Sequence, residues 1–102
     1  MTGPEQYPFT AELWVHPGQG GWHFLTVPPE IGADIAERTL AARRGFGAVP
    51  VTATVEGTVW RTSLFPDAAT RRYLLPVRKG VRTAARLRAG DLVEVELDVR
   101  PP

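Results

Sequence analysis

The chain has no cysteine, and it has one methionine and one lysine, Lys79. Without cysteine it has no disulfide, no thiolate metal site and no cysteine nucleophile, so its stability must come from packing. It has no apolar run near the roughly 18 residues of a membrane helix. Its first residues also lack the basic and apolar regions of a secretion signal. These absences predict a cytoplasmic protein without a membrane partner.

The length and composition are those of a folded domain. A length of 102 residues fits one domain, residues 1–102, with one modest hydrophobic core. Hydrophobic residues make up 43% of the chain and charged residues 23%. This balance is typical of a soluble globular protein and excludes a disordered chain.

Alternation of apolar and polar residues predicts short β-strands separated by glycine and proline turns. In the clearest case, apolar residues occupy every second position from Tyr7 to Val15. The six predicted strands are residues 7–15, 22–27, 48–56, 58–65, 73–77 and 93–99.

Two helical segments interrupt this pattern. Residues 30–44 have helical spacing, with Asp34 and Glu37 placed as a capping box. Residues 81–87 are predicted to form one or two helical turns before the last strand. Short strands with one helix between strands 2 and 3 predict a mainly β fold, a small closed or partly open barrel of about six strands.

An ordered set of residues along these elements resembles a known family. The set comprises Phe9, Leu13, Trp22, Val27-Pro28, Gly57, Ser63-Leu64, Pro66, Tyr73, Leu75, Val77, Lys79, Val81-Arg82 and Gly90-Asp91-Leu92-Val93. Over residues 9–98 it resembles the small bacterial family called domain of unknown function 1905. The resemblance implies a barrel of the double-split or cradle-loop type, similar in architecture to transition-state regulators and antitoxins that bind DNA. It implies no activity, catalytic residue or cofactor, because that family has none assigned.

The net charge of +1 hides a strongly basic segment. Residues 61–88, called the basic segment below, contain eight basic residues and one acidic residue, for a local net charge of +7. Arginine donors suit phosphate and carboxylate oxygens, so the segment predicts a surface for an anionic small molecule or a nucleic acid. The alternative is that its arginines are spread over different faces and pair across strands with Glu94, Glu96 and Asp98 of the last strand.

The candidate ligand-binding residues combine this charge with aromatic rings. Residues 78–82 are a candidate phosphate or carboxylate site, because they include Lys79 and a glycine that lets an anion approach the backbone. The full candidate set is Arg71, Arg72, Arg78, Lys79, Arg82, Arg86, Trp22, Trp60 and Tyr73. Trp22 and Trp60 have two interpretations: core residues near hairpin glycines, or rings at the barrel mouth that stack on a base or flat ligand.

Other chemistry has little support in the pattern. His16 and His23 flank the first hairpin, but together with Glu12 they match no standard zinc spacing. Ser63 lies in no nucleophile elbow, and the glycines within 18–21 join two predicted strands, so they form no phosphate loop. We therefore predict no catalytic residue, no metal and no cofactor.

Together these patterns predict a non-enzymatic binding module whose basic segment recognises an anionic ligand or partner, nucleic acid being one candidate. Two alternatives stay open. One is a small-molecule-binding barrel or enzyme with a pocket lined by Trp22, Trp60, Tyr73 and Lys79. The other is a homodimer formed through an apolar barrel face. The arrangement of the basic residues, on one face beside a pocket or dispersed, distinguishes these interpretations.

Overall fold

Seven strands and two helices are present in the described part of a computed structural model, residues 6–18, 20–39 and 47–99. In chain order they are β1 (Gln6–Glu12), β2 (Trp14–Val15), β3 (His23–Thr26), α1 (Pro29–Thr39), β4 (Val49–Val55), β5 (Thr58–Asp67), β6 (Arg72–Pro76), α2 (Lys79–Ala85) and β7 (Leu92–Asp98). The mainly β class is confirmed, with seven strands instead of about six.

The strands form an antiparallel sheet in the order β1-β7-β4-β5-β6-β3-β2. The ten-residue strand β5 pairs twice: its residues 58–64 lie beside β4, and its residues 65–67 lie beside β6. Because successive parts of one strand take different partners, the sheet turns at β5 and forms a half-barrel.

Leu13 accounts for the additional strand. The predicted strand 7–15 divides at this fully buried residue, because its backbone bonds to the loop before β7. The Leu13 N–H donates to the Asp91 carbonyl (2.9 Å), and the Leu13 carbonyl accepts from the Gly90 N–H (2.7 Å). On one side of Leu13, β1 pairs with β7, and on the other, β2 pairs with β3. Helix α1 therefore follows the third strand and not the second.

Strand alternation places the core on one face of the sheet. In β7 the side chains of Val93, Val95 and Leu97 are buried, while the residues between them are exposed. Ile35 of α1 and Val81 of α2 are buried against the same core. Burying each such side chain contributes about 1.5–3 kcal/mol, so the alternating pattern holds both helices and the sheet together.

Helix α1 begins at Pro29, a residue suited to a first helical turn because the N–H that it lacks would have no helical partner there. The predicted capping box is wrong. Asp34 lies inside the helix, where it accepts hydrogen bonds from the Tyr7 hydroxyl (2.6 Å) and from Arg38 Nε (2.8 Å). The last part of the predicted helix, residues 40–44, lies outside the described residues. Neither described helix is long and apolar enough to cross a membrane.

A two-residue turn, Glu56-Gly57, joins β4 to β5. Both residues have positive φ, 49° for Glu56 and 77° for Gly57. Such a turn matches the right-handed twist of the paired strands, but its left-handed backbone is unfavourable for glutamate. The turn therefore fixes the strand register while storing a small local strain at Glu56.

Candidate functional site

The last strand does not neutralise the basic segment. Glu94, Glu96 and Asp98 of β7 lie opposite polar or proline residues of β1 and β4, and not opposite arginines. Within the described residues the ion pair present is Arg38–Asp34, and none joins the basic segment to a carboxylate. The alternative of cross-strand charge pairing is therefore wrong for this part of the chain.

Strand β6 divides the basic segment into two groups. Arg71 and Arg72 lie at its start, and Arg78 and Lys79 follow its end. At roughly 3.3 Å per residue, the five residues of β6 hold these groups about 17 Å apart. The candidate arginines therefore do not gather beside one groove: Arg71 and Arg72 line one groove, and Arg78 and Arg82 line another.

The first groove, named the Trp22 groove, lies where the turn before β3 meets the start of α2. The Val77 N–H donates to the His23 carbonyl (2.9 Å), which holds this turn against the segment that leaves β6. The groove has a volume of about 310 Å³. It is lined by Gly20, Gly21, Trp22, His23, Pro76, Val77, Arg78, Lys79 and Arg82. Three of these residues are cationic and none is acidic, so the groove is electropositive.

Trp22 presents its indole to solvent at this groove, with 59% of its surface exposed. The core interpretation of Trp22 is therefore wrong. Its ring stacks on Phe24, with ring centres 6.2 Å apart and planes at 12°, and Phe24 contacts Trp14 (5.3 Å). Trp14 is held by a hydrogen bond from its Nε1 to Thr26 Oγ1 (2.9 Å). A row of rings thus supports an exposed indole that can stack on a flat ligand.

The three cations of the Trp22 groove are held in different ways. Arg82 is half-buried, and its Nη1 donates to the Val77 carbonyl (2.8 Å), so its guanidinium has a fixed position. Arg78 and Lys79 are exposed at the start of α2. One anchored guanidinium with further N–H donors and two exposed cations can together bind an anionic group through charge-assisted hydrogen bonds.

The second groove, named the α1 groove, lies between α1 and the turn from β5 to β6. It has a volume of about 520 Å³. It is lined by Val27, Pro29, Gly32, Ala33, Ala36, Pro66, Asp67, Ala68, Arg71, Arg72 and Tyr73. Three of the candidate residues, Arg71, Arg72 and Tyr73, meet here, and the buried Tyr73 ring lies next to Gly32.

The remaining candidates lie elsewhere. Trp60 is 4% exposed and belongs to the core, where its Nε1 has no hydrogen-bond partner among the described residues. Arg86 ends α2 and lines a third groove of about 540 Å³ together with Glu56 and Asp91. These two positions are separate from both the Trp22 groove and the α1 groove.

The four residues of the alternative aromatic pocket do not share one site. Trp22 and Lys79 line the Trp22 groove, Tyr73 lines the α1 groove, and Trp60 lies in the core. Trp60 lies in β5, Tyr73 lies near the start of β6, and Lys79 follows its end. Their spacing along the sequence does not reveal this separation.

Sequence reasoning missed the helical wall of the α1 groove. Pro29, Gly32, Ala33 and Ala36 all line it from α1. They recur at intervals of three and four residues, which places them on one helix face. In the sequence, small residues at this helical spacing are the signal that could have identified this wall of the groove.

The two histidines make local contacts. His23 Nδ1 lies 2.6 Å from the Gly21 carbonyl oxygen, and the exposed His16 ring lies 6.3 Å from the ring of Trp14. Among residues 6–18, 20–39 and 47–99, no group of three His, Cys, Asp or Glu side chains could hold a metal ion.

Over the residues that the structure describes, these features define a small, mainly β domain, a half-barrel with two helices and solvent-facing grooves at both ends of β6. The chain belongs to the family described as Domain of unknown function (DUF1905), whose model matches residues 9–97. The family resemblance of the sequence is thus confirmed over most of the chain. No curated protein matches it. The family description assigns no activity.

Proposed function

We propose that this domain is a binding module for an anionic partner, which binds at the Trp22 groove. One observation carries the proposal: an exposed indole and three cations line the same groove, and no carboxylate in the lining competes for those cations. Cations without a carboxylate partner attract anions from solution, and arginine does so with directed hydrogen bonds. These groups supply charge and a stacking surface, so the proposed activity is binding and not catalysis.

The chemistry of the groove favours single-stranded nucleic acid among anionic partners. Arg78, Lys79 and Arg82 suit backbone phosphates, and the Trp22 ring suits the face of a base. Bases in a duplex are already stacked on their neighbours, whereas a single strand offers a base to the ring. We therefore expect single strands to bind more tightly than duplexes of the same sequence.

Fluorescence anisotropy with a short labelled single strand tests this function. Binding is expected at about 50 mM salt and should weaken steeply by about 200 mM, because the phosphate contacts release counterions. Replacing Trp22 with alanine should weaken binding roughly tenfold, the effect of losing one stacked base. No binding at about 50 mM salt would overturn the nucleic-acid proposal.

A matched pair of double variants separates this groove from general charge. Arg78→Ala with Lys79→Ala removes two positive charges after the end of β6, and Arg71→Ala with Arg72→Ala removes two at its start. The first pair should weaken binding about tenfold or more, and the second should weaken it much less. Equal losses would mean that the partner senses net charge and not the Trp22 groove.

Self-association is a second candidate function, favoured by the apolar face of the sheet that adjoins the Trp22 groove. On the outer face of the sheet, Phe65 lies opposite Leu74 and Phe24 lies opposite Pro76. Phe65 is 47% exposed beside these residues, so together they present a continuous apolar patch of the kind that a partner can cover. Light scattering at high protein concentration tests this function. A dimer that Phe65→Lys converts to a monomer supports it, and a strict monomer in the unmodified protein overturns it.

A further inference from the structure

We propose that the α1 groove binds an apolar organic acid, a small molecule with a hydrophobic body and one carboxylate. The site lies at the opposite end of β6 from the Trp22 groove and shares no lining residue with it. It is therefore independent of the nucleic-acid proposal, and each can fail without the other.

The walls of the α1 groove are apolar and short. The helix contributes Gly32, Ala33 and Ala36, and the opposite side contributes Pro66 and Tyr73. Because the helical wall has no side chain longer than a methyl group at these three positions, space is left between helix and sheet. The volume of about 520 Å³ lies within the roughly 300–1,000 Å³ of small-molecule sites.

The floor of the groove is fixed in position. Tyr73 is buried, and its ring lies so close to Gly32 that a methyl group there would contact it at 3.6 Å. The Val27 N–H donates to the Tyr73 carbonyl (2.9 Å), which ties this part of β6 to the end of β3. A flat apolar ligand would thus meet a preformed surface, which reduces the entropy lost on binding.

The rim of the groove carries the charge that selects an acid. Arg71 and Arg72 line it, and neither forms an ion pair with a carboxylate in the described residues. The third charged residue, Asp67, lies opposite Arg72 in the register of β5 and β6, but its carboxylate is engaged by its own turn: its Oδ1 accepts from the Ala69 N–H (3.3 Å) and its Oδ2 from the Thr70 hydroxyl (2.8 Å). The two guanidinium groups are left to bind a carboxylate head at the mouth.

The backbone at Arg71 provides a matched control for the test of this site. Arg71 has φ of 58°, in the left-handed region where glycine is favoured and arginine is strained. Arg86 has the same φ of 58° at the end of α2, but it lines a different groove. The two arginines therefore form a matched pair: same residue type, same backbone strain, different surroundings.

Titration of the full chain with 2-naphthoate, followed by amide NMR shifts, tests the site. We expect the amides of Gly32, Ala33 and Ala36 to shift, together with those of Arg71 and Arg72, while the amides of the Trp22 groove stay in place. The neutral analogue 2-naphthamide should bind about tenfold more weakly, because it lacks the charge that the arginines recognise. Absence of shifts in the α1 groove up to roughly 10 mM 2-naphthoate would overturn the proposal.

Three variants complete the test. Arg71→Gly should weaken 2-naphthoate binding about tenfold, and Arg86→Gly should leave it unchanged. Both variants should melt at a higher temperature than the unmodified protein, which shows that the fold is intact. Ala36→Leu should block the groove and abolish the shifts. If Arg71→Gly and Arg86→Gly weaken binding equally, or if 2-naphthamide binds as tightly as 2-naphthoate, the α1 groove is not a carboxylate site.

Discussion

The Tyr7 hydroxyl donates a 2.6 Å hydrogen bond to Asp34 Oδ2 and so connects strand β1 to helix α1. The same oxygen accepts a second bond from Arg38 Nε at 2.8 Å, one helical turn further on. The Tyr7 hydrogen bond, followed by that of Arg38, holds the pKa of the Asp34 carboxyl below its usual value. The charged form of Asp34 is therefore favoured by folding.

The first prediction concerns acid stability. Because the pKa of Asp34 is lowered in the folded state, its contribution to the free energy of unfolding is present above pH 3.8 and is lost as the pH falls through the folded pKa. Tyr7→Phe should raise the pKa of Asp34, as measured by NMR titration of its carboxyl carbon. Urea unfolding of Asp34→Asn should show a smaller stability loss below pH 3.8 than the unmodified protein. Identical acid dependence in both proteins would contradict this assignment.

The second prediction concerns Leu13, the buried residue between β1 and β2. Leu13→Ala should lower the free energy of unfolding by about 2–5 kcal/mol, because it leaves a cavity in the core between β1 and β2, the two edge strands of the sheet. Leu92, which is 75% exposed, provides a matched control: Leu92→Ala should change the free energy by less than about 0.5 kcal/mol. Denaturant unfolding of both variants measures the difference. A small loss at Leu13 would show that this junction is not part of the cooperative core.

The third prediction concerns the strained turn between β4 and β5. Glu56→Asn should raise the free energy of unfolding by about 1 kcal/mol, because asparagine tolerates the left-handed backbone and Asn-Gly suits a two-residue hairpin turn. Glu56→Gln removes the same negative charge but keeps the strain, so it should give no such gain. An equal gain in both variants would assign the effect to charge.

The fourth prediction concerns the local potential at Trp22. At constant ionic strength, the ratio of iodide quenching to caesium quenching of the tryptophan fluorescence should be higher for this protein than for free N-acetyltryptophanamide, because cations surround the exposed indole. The excess quenching by iodide should fall after Arg78→Ala with Lys79→Ala and persist after Arg71→Ala with Arg72→Ala. A ratio no higher than that of N-acetyltryptophanamide would contradict an electropositive Trp22 groove.

Alternation along the chain predicts most of the sheet, because each strand buries one face. It fails at Leu13, which fits the alternation of residues 7–15 while its backbone bonds to Gly90 and Asp91. Those bonds join positions far apart in the sequence, so no local pattern contains them. The sequence alone therefore could not predict the number of strands or the position of α1 among them.

The candidate site was predictable in its chemistry and not in its geometry. Charge counting finds the basic segment, but it cannot show that β6 holds Arg71 and Arg78 at opposite ends. Strand alternation distinguishes Trp22 from the core residue Trp60. Trp22 lies on the same side of its strand as the half-buried Phe24 and on the opposite side from the buried Leu25. Both tryptophans lie near hairpin glycines, so that feature alone did not distinguish them.

The position of β7 in the sheet has a consequence for how the domain assembles. β7 pairs with β1 on one side and β4 on the other, so residue 6 lies opposite residue 98. The first strand finds its sheet partner only in the last one, and closing so long a loop slows folding. During synthesis, the pairings of β7 with β1 and β4 should therefore form only after the segment up to residue 98 has left the ribosome.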